Sequence, residues 1–402
     1  MWVRAARMFR RLLARHATPT RSAHRLANST PATSRRRPSR PRRPPPGGPR
    51  FNLIAASTRD VLALHALHGS SMDTIGIGAM WTTLRKRALK EVLNGWLRTP
   101  EFGRAVGPMC KQTEQMIREN RLCSRSLANT MHSIASLQQI SSSQPWDPLW
   151  SCALPLVLRR VEDFNRQELA NITWAFITAH RATPELLAAL ARRVEAEAND
   201  FNKIEVVLLS CSFARTSFRQ PGLFKALAIS AEAKVDQLTT SEIARLAWAH
   251  ARSGYARTSS ASLMCKIVDV AIEQLRAFEP RSLGALAWAY AHLGPPYPLP
   301  LFDAIARTLL DRKARSARAG DVANLLWSFA RIGEPHPLLF EALSRTALRR
   351  AAVLNEHQIS MICWSLATAR CRSDLVVELF LTLAQQEATH TMAGFTTQGL
   401  SN

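Results

Sequence analysis

The sequence predicts an all-α fold, an α-solenoid of about seven to eight helical-hairpin repeats behind a disordered N-terminal leader. Three observations predict it. A Trp-centred segment returns along the chain as "SEIARLAWAHARSG" (241–254), "RSLGALAWAYAHLG" (281–294) and "GDVANLLWSFARIG" (320–333). Its central column, Trp174, Cys211, Trp248, Trp288, Trp327 and Trp364, recurs every 37–40 residues, and His132 extends it upstream by 42. Self-similarity at such a period marks stacked helical units. Finally, three Tyr and few β-branched runs leave little material for a strand-rich fold.

The leader, residues 1–50, comes first. Residues 1–59 hold 15 Arg, no Lys and no carboxylate. Trp2, Ala6, Phe9 and Leu13 are spaced along one helical face, and Arg4, Arg7, Arg11 and Arg15 along another. An Arg-rich, acid-free amphipathic helix followed by Ser and Thr has the composition of an organellar transit peptide. A mitochondrial address is expected, with a chloroplast as the alternative; a polybasic nuclear or nucleic-acid tail is the competing reading of the charge. "RRRPSRPRRPPPGGPR" (35–50) reads as a disordered Pro-rich linker.

Residues 51–120 read as a degenerate N-terminal repeat, with Thr82 of "IGIGAMWTTLRK" in the column. Residues 121–393 form the array. Five residues before the column stands an aliphatic: Leu127, Leu169, Val206, Ile243, Leu283, Val322 or Ile359. Two residues after it comes a large group, Phe176, Phe213, Tyr290, Phe329 or Leu366, with His250 departing from the rule. The Trp helix is apolar nearly all round, which predicts an inner layer buried on several sides with the Trp column in the core. Gly254, Gly294 and Gly333 are placed to end it with left-handed caps. The partner helices begin at Pro-containing segments such as "ATPELLAALARRV" and "PHPLLFEALSRTAL". In the first of these, Leu186, Leu190 and Val194 form one apolar stripe. Within 394–402, "FTTQGLSN" (395–402) matches "NRQELAN" (165–171), with Leu400 for Leu169 and Asn402 for Asn171. It reads as the start of a truncated further repeat, so a fragment is expected.

The formal charge of +23 is concentrated in the leader; beyond residue 59 the excess of cations is +8, compatible with a polyanionic partner without demanding one. Seven Cys with no CxxC pair, and eleven His with no HxxxH or HExxH, predict neither disulfides nor a metal site. No GxGxxG, Walker-type or GxSxG loop occurs. The expectation is a chain with no catalysis by its repeats, no cofactor, no small-molecule ligand and no membrane span.

The "LAN-ITWAF" core (Leu169, Ala170, Asn171, Trp174, Ala175, Phe176), its copies at 241–254 and 320–333, and the Pro-x-Leu start of the partner helix resemble the octotricopeptide repeat. That repeat is akin to those of FAST-kinase-domain-containing and RAP-domain proteins. The resemblance covers about 121–393 well and 60–120 weakly. It implies binding of single-stranded organellar RNA for processing, transcript stability, translation or ribosome assembly, with ribonucleoprotein or ribosomal components as further partners. A RAP domain, which often ends such chains, is not visible.

Two columns carry the candidate contacts. Four residues past the Trp column stand Arg215, Arg252, His292 and Arg331. They read either as a basic ladder facing phosphates or as cations offsetting helix dipoles. Three residues before the column stand Asn129, Asn171, Arg245 and Asn324, alternating with Leu208, Ala285 and Met361. Varying side chains at an equivalent place suit base reading in modular RNA binders; bonding of Asn to nearby backbone is the alternative. A HEAT-like protein scaffold is the competing function.

Overall fold

A computed structural model describes residues 57–389, apart from 94, 142–145, 335 and 372. The leader and the stretch 394–402, including Asn402, lie outside the described residues. The described residues form seventeen α-helices and no strand, an all-α solenoid of helical hairpins. The chain divides into two compact units, one ending at Ala182 and the other beginning at Thr183.

The unit ending at Ala182 holds α1 (Thr58–His68), α2 (Thr74–Lys90), α3 (Pro100–Arg118), α4 (Ser124–Gln138), α5 (Asp147–Arg159) and α6 (Arg166–Thr178). Helices α2, α4 and α6 pack side by side as an inner layer, and α1, α3 and α5 as an outer one. The second unit repeats this arrangement. Its inner helices are α8 (Lys203–Ala214), α10 (Thr240–Ser253), α12 (Pro280–Leu293), α14 (Ala319–Ile332) and α16 (Glu356–Thr368). Its outer helices are α7 (Pro184–Ala196), α9 (Pro221–Glu232), α11 (Ala261–Gln274), α13 (Leu299–Thr308), α15 (Pro337–Arg349) and α17 (Asp374–Thr389).

Local signals start these helices. Inner helices open on reciprocal caps: Asn165 with Glu168, Asn202 with Glu205, Thr239 with Glu242, and Asn355 with Gln358. Each side chain serves the other's otherwise unpaired backbone N–H. The capping residue of α10 is thus Thr239, two positions ahead of Ser241. Outer helices α7 and α15 start on Pro184 and Pro337, where a missing N–H costs nothing. Gly254 and Gly333 close their helices in the left-handed conformation, φ 83° and 76°. Gly294 departs from the expected cap: its φ is 76° but its ψ is 180°, so the chain leaves α12 extended.

The core lies between the layers. Leu169, Val206, Ile243, Leu283 and Val322 are all buried, as are Phe176, Phe213, Tyr290 and Phe329. Outer-layer Leu186, Leu190 and Val194 face them, also fully buried. The residue after the Trp column is small and buried in every array copy: Ser133, Ala175, Ser212, Ala249, Ala289, Ser328, Ser365. Small side chains let neighbouring inner helices approach, and the serines return their hydroxyls to carbonyls four residues back, as Ser328 does to Asn324 at 2.6 Å.

Outer helices also end in a single 3-10 turn that tucks in Val161, Ala198, Val235 or Leu275, followed by buried Phe164, Phe201, Leu238 or Phe278. This second apolar anchor per repeat is a feature the Trp alignment does not capture. No described helix is long and apolar enough to cross a membrane.

Candidate nucleic-acid interface

The Trp column is not in the core. Trp174, Trp248, Trp288, Trp327 and Trp364 are each only partly buried, whereas the fully buried Trp are Trp81 and Trp146, outside the column. The reason is angular. Positions three before the column, in it and four after it fall at i, i+3 and i+7, one face of a helix. Apolar residues fill the rest of the circumference, so this face is the one left outward. The expectation of buried Trp is therefore corrected: these rings line a surface stripe together with both candidate columns.

In the unit beginning at Thr183 the stripe is cationic. Arg215, Arg245, Arg252, His292 and Arg331 are exposed, and Asn324 is half-buried. In α10, α12 and α14 the side chain four residues on lies over its own Trp ring. The Arg252 guanidinium sits 5.7 Å from the Trp248 centroid and that of Arg331 5.5 Å from Trp327. His292 stacks on Trp288 at 4.5 Å with 13° between planes. The rings also run from helix to helix, Trp288 to Trp327 at 6.3 Å and Trp327 to Trp364 at 6.4 Å.

His292 is held below the ordinary imidazole range by partial burial and then by Arg331 and Arg252, which brings the three basic groups into one electrostatic neighbourhood. Arg252 has a structural tie too: its Nε donates to the carbonyl of Ala214, at the C-terminus of α8, at 3.2 Å. Helix-end neutralisation and an outward cation coexist in that residue. Cys211 replaces Trp in α8, and there the column is buried; its thiol points to the Arg245 carbonyl. Arg281 adds an exposed cation one turn earlier on the stripe of α12. At positions −7, −3, 0 and +4 of α8, α10, α12, α14 the stripe holds no carboxylate.

In the unit ending at Ala182 the stripe has another character. His132 and Trp174 are partly buried and meet at 4.5 Å with 44° between planes. Half-buried Asn129 and Asn171 stand one turn before those rings on adjacent helices α4 and α6. The positions four residues on are Ser136 and Thr178, so no Arg overlies the rings. Arg85 of α2 lies near His132. Burial first, and then this cation, push the imidazole down to about 4, so it is neutral near pH 7. The Arg85 Nε is buried without an acceptor among the described residues. Arg85, like Arg281, belongs to neither column read from the sequence; its only signal is a helical turn's offset from Thr82.

Among the described residues no group of His, Cys, Asp and Glu is arranged to hold a metal ion. The family model of the RNA-editing substrate-binding complex 6 protein matches residues 164–402, from the start of α6 through the whole cationic stripe. No curated protein matches the chain.

Proposed function

The chain belongs to the RNA-editing substrate-binding complex 6 protein family, and from that premise we propose that it is the RNA-holding subunit of an organellar RNA-processing assembly. Its substrate is single-stranded RNA, bound along the inner helices without catalysis by the repeats. The observation that carries this reading is the stacking of Arg252 on Trp248 and Arg331 on Trp327 in successive repeats, with His292 on Trp288 between them. A guanidinium resting on an indole has lost much of its rotamer freedom before any ligand arrives, so a phosphate contact costs less ordering. The terminal N–H groups remain to meet phosphate oxygens, the Arg252 Nε being taken by Ala214, and the partly exposed rings offer surface to unstacked bases.

The likeness to octotricopeptide repeats supports the same reading. A protein scaffold would be better served by an apolar or acidic strip than by exposed Arg on aromatic rings. The composition of residues 1–50 supports a mitochondrial address. Within such an assembly the chain would steady transcripts during processing; roles in translation or ribosome assembly call for the same strand-holding surface.

The test is a salt series of binding to unstructured RNA by the full chain and by its Arg215→Glu/Arg252→Glu/Arg331→Glu variant. Each phosphate contact contributes about 0.7 to the slope of log K against log salt for a single strand. The variant should lose roughly 2 units of slope and at least tenfold in affinity, with helical circular dichroism unchanged. Equal slopes would return the three Arg to helix-end duty and favour the scaffold.

A further inference from the structure

We infer that the cluster formed by Asn129, His132, Asn171 and Trp174 receives one unpaired adenine, making the unit ending at Ala182 a base-reading site distinct from the phosphate-binding stripe. This rests on the RNA-binding reading and deepens it. The two units carry the same columns with opposite chemistry. Where the second unit places Arg252, His292 and Arg331 over Trp248, Trp288 and Trp327, this one places Ser136 and Thr178. His132 and Trp174 approach at 4.5 Å but are tilted by 44°, so they do not close on each other face to face. Both remain partly exposed. An aromatic pair that is neither buried nor capped by a cation is a stacking platform for a planar ligand.

The edges of that platform carry carboxamides. Asn129 and Asn171 stand one turn before the rings on helices that pack side by side. Their backbone carbonyls are engaged as helix acceptors, Asn129 also taking the Ser133 hydroxyl at 2.7 Å. Both Asn residues are partly exposed. A carboxamide presents a donor beside an acceptor, the complement of adenine's N7 and N6 amino group. Guanine offers two acceptors at that edge and suits a guanidinium instead. Uracil pairs a donor and an acceptor as well, but has a single ring to stack. Arg85, half-buried beside His132, supplies a cation at the cluster, suited to a flanking phosphate rather than to the base.

The experiment compares full-chain binding to oligouridine 15-mers with one central uridine, adenosine, guanosine, cytidine or 7-deazaadenosine, at fixed salt. The single-adenosine strand should bind about tenfold more tightly than the others. The advantage should vanish with 7-deazaadenosine, which lacks the N7 acceptor, and in the Asn129→Ala/Asn171→Ala variant. These Asn are half-buried on helix surfaces, and unchanged circular dichroism would report an intact fold. Equal binding of all five strands overturns the inference, as does an adenosine advantage that survives the double substitution, or a preference for another base. Those outcomes with a steep salt slope leave the phosphate stripe standing. A flat slope sinks that stripe alone, and no RNA binding at all overturns both.

Discussion

Trp327 and Trp81 show how one residue type serves two purposes. Trp81 is fully buried and donates its indole N–H to the Thr113 hydroxyl at 2.8 Å. Trp327 is half-exposed between Trp288 and Trp364, with Arg331 above it. Replacing Trp81 by Ala opens a cavity and removes the bond to Thr113, whose hydroxyl keeps the Met109 carbonyl, so a loss of about 3–5 kcal/mol in denaturant unfolding is expected. Trp327→Ala removes mostly surface packing. It should lower stability by less than about 2 kcal/mol while weakening RNA binding by about 1–3 kcal/mol, as loss of one stacking platform does. If Trp327→Ala is as destabilising as Trp81→Ala, or leaves binding unchanged, the ring belongs to the core after all.

At the scale of the helix, the ends are better built than the composition suggests. Helices α3, α6 and α16 lack a terminal Gly, yet Asn120, His180 and Arg370 take φ of 54°, 57° and 51°. In each the next N–H reaches back five residues, Arg181 to Phe176 at 2.8 Å and Cys371 to Leu366 at 3.2 Å, the bond that closes a Schellman turn. A β-carbon in that conformation is unfavourable, and His180 and Arg370 are both exposed, with little packing to lose. His180→Gly and Arg370→Gly should each raise stability by roughly 0.5–1 kcal/mol, measurable as a higher denaturation midpoint. A lowered midpoint would mean that flexibility gained by the unfolded chain outweighs the relieved strain.

For the whole molecule, acid is the weak side. A chain with 53 Lys and Arg against 30 Asp and Glu gains further positive charge as carboxylates protonate. Two buried imidazoles add to this. His250 takes the place of an aromatic in α10, with its Nδ1 2.7 Å from the Ser260 hydroxyl; burial pushes it down to about 3. His132 is pushed to about 4 by burial and then by Arg85. Both titrate near 6.5 once unfolded, so the unfolded chain binds more protons below that pH. Their stability is therefore complete above about pH 6.5 and lost as pH falls toward 4 and 3. His250 alone should cost on the order of 2–3 kcal/mol between pH 7.5 and 4.5. The His250→Phe variant should lose distinctly less over that interval. An identical decrement would place the acid sensitivity in the carboxylates instead.

The sequence by itself determined the repeat, its period and the order of its helices, because burying a neighbour's face imposes the same aliphatic and aromatic spacing on every copy. It also determined the helix starts at Asn202, Pro184 and Pro337, since capping and proline chemistry act within one turn. The same holds for the columns that carry Arg215, Arg252, His292, Arg331 and the Asn residues. What it could not determine was which way the Trp face points. A helix apolar nearly all round has no polar face to mark its outer side, and Trp is at home in a core or on a stacking surface. Only the packing of inner helix on inner helix, made close by small residues such as Ala249, Ala289 and Ser328, leaves the i, i+3, i+7 face uncovered. Tertiary structure thereby turned an apparent core marker into a ladder of rings. It laid Arg252 and Arg331 over Trp248 and Trp327 in the second unit, and set Asn129 and Asn171 one turn before His132 and Trp174 in the first.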